Sequence, residues 1–179
     1  MAEQREARAH VAAVMAVIER RTVAFAGEEL CLPARRGGQR LHDLDQLHLR
    51  DLTALITIGP WVDLHIAYSF SAGLIAEIAR RLTRELRPDE TDMSPYLSES
   101  ACEMVNIVVG NSTAELAGKG EILRLSPPVV MAGAKIIQRR AQAMFSLDKL
   151  EFQGGELDIA FVGPRHLFDS ALDYRETPA

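Results

Sequence analysis

Over residues 2–19 the apolar positions Val11, Val14, Met15, Val17 and Ile18 recur at helical spacing, with Glu6, Arg8 and Arg20 elsewhere on the surface, which predicts a first helix. Residues 22–31 mix Val23, Phe25 and Leu30 around Gly27, the composition of a bent strand or small hairpin, and residues 33–50 read as a loop opened by Pro33 to Gly38. Two β-rich runs, 52–59 and 61–69, are separated at Gly59-Pro60 as in a hairpin. In the second run Val62, Leu64, Ile66 and Tyr68 share the face expected in the core, and Trp61, Asp63, His65, Ala67 and Ser69 share the other. Residues 71–85 read as a helix burying Leu74, Ile75, Ile78 and Leu82, ended by Pro88 and followed by an acidic linker over 89–92.

Ser94-Pro95 has the cap and first-turn pair of a helix that runs to Ala117, where Gly118 supplies a stop. Residues 121–125 suit a strand and 129–131 resume pairing after Pro127-Pro128. Residues 141–152 with 157–162 form a second hairpin around Gly154-Gly155, and 164–172 suit a short closing helix. The order helix, strand, hairpin, shorter helix therefore occurs twice, in halves of about 1–88 and 94–172, at a period near 85 residues. The expected architecture is a single α/β (α+β) domain over 1–179, with an antiparallel sheet and long helices packed against it.

Composition narrows the function. With 20 basic and 25 acidic side chains in 179 residues, the net charge of −5 gives no electrostatic footprint for nucleic acid. An apolar content of 47% supports a sizeable core. No apolar run approaches the length of a membrane-spanning helix, and Cys31 and Cys102 form no redox or metal motif, so a reducing cytoplasm is the simplest expectation.

The long helix carries the chemistry. Asparagine occurs at Asn106 and Asn111 alone, both inside this helix, although asparagine is a poor interior helix former. At helical spacing Glu99, Glu103, Asn106, Gly110 and Thr113 share one stripe, opposite Leu97, Ala101, Val105, Val108, Val109, Ser112 and Leu116. Gly110 in mid-helix costs about 1 kcal/mol relative to alanine. Periodicity leaves two readings open: a solvated polar face with Gly110 as a packing contact, or a surface on which another molecule's backbone comes close.

The run Glu103-Met-Val-Asn106-Ile-Val-Val-Gly110-Asn111, followed by Ser126-Pro127-Pro128-Val-Val-Met-Ala-Gly133, resembles the signature of the CheC/CheX/FliY phosphatases, specifically the CheX type. Leu55-Ile-Thr-Ile-Gly59 through Tyr68-Ser69-Phe70 and the following helix are similar to a CheX chain more loosely, and the resemblance covers about residues 8–165. It implies a phosphatase of the phosphoaspartyl CheY-like receiver domain, with Glu103 and Asn106 as the catalytic pair and Glu99, Gly110 and Asn111 as partner contacts. It implies no cofactor of the chain's own, the Mg2+ residing on the receiver, and a homodimer joined through its sheets. CheC proteins carry such a pair in both halves and the CheX type in one; residues 14–21 of the first helix hold no asparagine, which fits one active helix per chain.

The family pattern places Ser or Asp four residues before the glutamate, where this chain has Glu99. His42, Asp43, Asp45, His48 and Asp51 lie close together in sequence, and the solvated polar loop is a better reading of them than a metal site. His10, His65 and His166 read as structural. Two other classes remain: a non-catalytic receiver-binding or flagellar-switch-like scaffold of the same fold, and an unrelated small-molecule binding domain.

Overall fold

Helix α1 spans Ala2–Glu28, so residues 22–28 continue the first helix and are not the expected strand or hairpin. Ile18, Thr22, Phe25 and Ala26 fall on one helical stripe and are all buried. Burying a side chain such as Phe25 is worth about 1.5–3 kcal/mol, more than the few tenths by which Val23 and Phe25 prefer strand. Thr22 fits the helix because its hydroxyl donates to the Ile18 carbonyl at 2.8 Å, leaving its oxygen to pair with the buried Tyr68 hydroxyl at 2.8 Å.

The computed structural model describes residues 2–38, 40–59, 64–84, 93–117, 124–133, 136–139 and 142–168. After α1 come β1 (Arg35–Arg36), β2 (Leu41–His42), β3 (Gln46–His48), β4 (Leu52–Gly59), β5 (Leu64–Phe70) and α2 (Ala72–Leu82). Then follow α3 (Ser94–Ala117), β6 (Arg124–Leu125), β7 (Val129–Ala132), β8 (Ile136–Gln138), β9 (Ala143–Phe152), β10 (Gly155–Pro164) and a 3-10 turn, Arg165–Leu167. Both hairpins, α2 and α3 form where the sequence pattern places them. The expected closing helix is reduced to the 3-10 turn within the described residues. The linker at 89–92, the stop at Gly118, and Trp61, Val62 and Asp63 lie outside them.

Residues 33–50 are not simply a loop. β1 and β2 pair with β9, and β3 pairs with β8. The cause is the outer edge of β9, whose N–H and C=O groups require partners where the edge is covered. The main sheet runs β1-β9-β10-β5-β4-β6, with β2 also on β9 and β7 also on β4.

Exchange of the two halves leaves this topology unchanged. α1, β1–β5 and α2 correspond in order to α3, β6–β10 and the 3-10 turn. β1 and β2 on β9 become β6 and β7 on β4, the β4–β5 hairpin becomes β9–β10, and the β5–β10 and β3–β8 pairs return to themselves. Each half thus extends the other half's hairpin, which makes one continuous sheet of the two.

Both sheet faces are covered. Ile56, Ile66, Tyr68, Phe70, Ile159 and Phe161 pack in one cluster with the inner faces of the three helices. Ala67, Phe145, Leu147 and Ala160 pack on the other face with Leu47 and Leu49. Ala67 and Ser69, expected on the non-core face of β5, are therefore buried as well, while His65 on that face is exposed.

Candidate functional site

α3 is buried on one side through Ala101, Met104, Val105, Val108, Val109, Ser112 and Leu116, and it packs against α1, α2, β4 and β7. That leaves the opposite stripe outward. Glu99, Glu103 and Asn106 are exposed, and Gly110 and Thr113 are half-buried. Asn111 is exposed too, but stands one residue step, about 100°, away from Gly110 around the helix. Glu103 and Asn106 lie about 4.5 Å apart along the axis, and neither side chain is engaged by another described residue. A carboxylate and an amide on adjacent positions of one rigid face can bind a cation and orient a water at the same time.

A Cβ built on Gly110 meets no described neighbour within 4 Å, so among the described residues the glycine is not a packing contact. Gly110→Leu should leave thermal stability unchanged or raise it by up to about 1 kcal/mol, since leucine is the better helix former. It should weaken binding of any partner seated on the stripe, because a side chain then fills the open ground. A lowered unfolding midpoint with unimpaired partner binding would oppose both expectations.

The C-terminal end of α3 is fixed to α1 by Glu115, whose two oxygens accept from Arg20 at 2.5 Å and Arg21 at 3.0 Å. The Arg20 hydrogen bond chiefly holds the Glu115 carboxyl below its ordinary range. Sequence reading missed this clamp, because its partners are about ninety-five positions apart and no periodicity links them. Burial pushes the Cys102 thiol, beside Glu103, above its ordinary value, so it offers no thiolate nucleophile near neutral pH.

The acidic loop is occupied by arginines. Arg139 pairs with Asp43 and Asp45, and Arg165 also reaches Asp43. Asp51 accepts from the Ala72 N–H at the start of α2 at 2.8 Å. The His42 Nδ1 sits 3.1 Å from the Ser146 hydroxyl, while His48 is exposed on β3. Among the described residues no group of three His, Cys, Asp or Glu side chains converges as metal ligands would.

A family model, chemotaxis phosphatase CheX, matches residues 52–147, more than half of the chain. The chain belongs to the CheX family. No curated protein matches it in sequence, whereas solved structures do in fold. A CheX of Desulfovibrio desulfuricans is 15% identical, with 83% of this chain and 97% of that one covered at a TM-score of 0.70. A CheC-like protein of a Shewanella species is 17% identical over 84% and 96% of the chains, with a TM-score of 0.70. CheX in the CheX-CheY-BeF3-Mg2+ complex of Borrelia burgdorferi is 16% identical over 84% and 97%, with a TM-score of 0.60.

Proposed function

We propose that this CheX-family protein dephosphorylates a CheY-like receiver domain, with Asn106 orienting the attacking water and Glu103 docking on the receiver. A phosphoaspartate is an acyl phosphate, already activated, and the receiver coordinates it with its own divalent metal ion. The phosphatase then needs no nucleophile of its own, only one water placed in line. An amide suits that task because its carbonyl accepts and its NH2 donates, with no charge to repel the phosphoryl group. Glu103, one turn away, would meet the receiver's active-site lysine in a charge-assisted hydrogen bond. Glu99, Gly110 and Asn111 would complete the contact, with Gly110 leaving room for the receiver's backbone.

The observation that carries the reading is the placement of Glu103 and Asn106 together on the outward face of a helix whose other face is buried. The CheX-CheY complex among the structural relatives supports a receiver as the partner class. The experiment is phosphate loss from a phosphorylated receiver with and without the protein; an unchanged rate across the organism's receivers would refute the proposal. Glu103→Ala should weaken binding of an activated receiver by roughly 10–100-fold, the worth of one hydrogen bond to a charged group. An unaltered dissociation constant would remove Glu103 from the interface.

A further inference from the structure

Asn111 is exposed, yet it is turned away from the stripe of Glu103, Asn106 and Gly110. Glu115, four residues on, lies on the same row of α3, and it is the group that Arg20 and Arg21 of α1 grip. Asn111 therefore stands on the α1 side of the stripe, and the outward surface widens there toward Arg20.

The two arginines are not equivalent. Arg21 holds one Glu115 oxygen through both Nε and Nη2, at 3.0 and 2.9 Å, and is 38% exposed. Arg20 meets the other oxygen through Nη2 alone, at 2.5 Å, and is 57% exposed. Among the described residues its Nε and Nη1 make no hydrogen bond. Two guanidiniums on one carboxylate leave a positive charge in excess, in water, beside the negative end of the α3 dipole. Toward the other end of α3, Glu99 and Glu103 are exposed and no described residue pairs with them. The surface is thus acidic at Glu103 and basic at Arg20, and Glu103 and Glu115 stand about 18 Å apart along the axis.

From this polarity we infer that Arg20 is a second anchor for the receiver, meeting an acidic side chain on it, and that Asn111 lies under the crossing from α3 to α1. A receiver whose lysine sits on Glu103 can lie either way along α3. Only the orientation that brings a carboxylate to Arg20 pairs both charges. The substrates are therefore receivers with an acidic side chain about 18 Å from the active-site lysine, and a basic side chain at that place excludes a receiver. The inference rests on the proposed docking of Glu103 and extends it from the class of partner to the choice among receivers.

The probe is a beryllofluoride-activated receiver that the wild-type protein dephosphorylates, with association followed by stopped flow. At an ionic strength of about 0.01 M, where the Debye length is about 30 Å, Arg20→Ala should slow association about fivefold. At about 1 M, where that length is about 3 Å, it should associate within about twofold of the wild type. Arg20→Lys keeps the charge and should keep the wild-type salt dependence. Glu115→Gln should act in the opposite direction, speeding association about twofold at low ionic strength, because it removes the neutralising carboxylate. A clamp that only ties α1 to α3 would make Arg20→Ala and Glu115→Gln slow association alike at both ionic strengths, and that result overturns the inference. If one of the two variants does not fold, the other decides by the sign of its effect. If no receiver of the organism is dephosphorylated, the proposed function fails and this inference with it. Dephosphorylation with association untouched by both substitutions removes the inference alone.

Discussion

Asn106→Ala is expected to fold as the wild type does and to lose receiver dephosphorylation by about 10²-fold, or roughly 2.7 kcal/mol of barrier. The side chain is exposed on α3 and no described residue depends on it, so its removal opens no cavity and orphans no buried group. Alanine also raises helix propensity by up to about 0.7 kcal/mol. What disappears is the group proposed to accept from and donate to the attacking water, which is needed in the transition state and not for docking. The turnover rate at saturating receiver should therefore fall while affinity holds, which separates Asn106 from Glu103. A variant that keeps more than half of the wild-type rate would dismiss the water-orienting role.

Arg40→Ala should cost about 3–5 kcal/mol of stability near pH 7, the range for leaving a buried carboxylate without its partner. Arg40 donates from Nε and Nη2 to the two oxygens of Asp148, both at 2.5 Å, and from Nη2 to Glu19 at 3.1 Å. Asp148 and Glu19 are buried, and the guanidinium also lies 5.8 Å from the centre of the Phe161 ring. Burial first, and the Asp148 charge second, already hold the Glu19 carboxyl above its ordinary value despite Arg36 and Arg40. Without Arg40 the two carboxylates face each other with only Arg36, largely in water, on Glu19.

The sign of the pH dependence follows. A carboxyl whose pKa is raised in the folded state binds its proton more tightly there than in the unfolded chain, so its contribution to stability is fullest below the unfolded value and is lost as pH rises through the folded one. Removing Arg40 raises the folded value further. The stability deficit of Arg40→Ala should therefore shrink between pH 7 and pH 5, measured by urea midpoints of both proteins. A deficit that stays constant on acidification would show that Arg40 stabilises by packing on Phe161 and not by charge.

The candidate site was legible because it is local. Glu103 and Asn106 lie three residues apart on one helix, and the buried stripe of Val105, Val108 and Val109 fixes which side faces out. The β4–β5 and β9–β10 hairpins were legible for the same reason, since Gly154-Gly155 and the alternating runs act over a few residues. The misreadings have one cause. Phe25 and Val23 favour strand locally, yet α1 continues because the core needs Phe25 and Ala26 on its stripe; residues 33–50 carry no strand pattern, yet they pair because β9 lies beside them.

Sequence by itself therefore determined the helices α2 and α3, the two hairpins and the outward pair Glu103 and Asn106, each set by spacing within about two dozen residues, and with them the repeated order of elements. Tertiary structure alone decided how far α1 extends, what completes the edge of β9, that Gly110 faces open ground, and that Arg20 and Arg21 grip Glu115 and Arg40 grips Asp148. Those are relations between residues roughly a hundred positions apart, and no local propensity of about a kcal/mol or less encodes them, because they arise only when burial of the shared core has brought the two halves together.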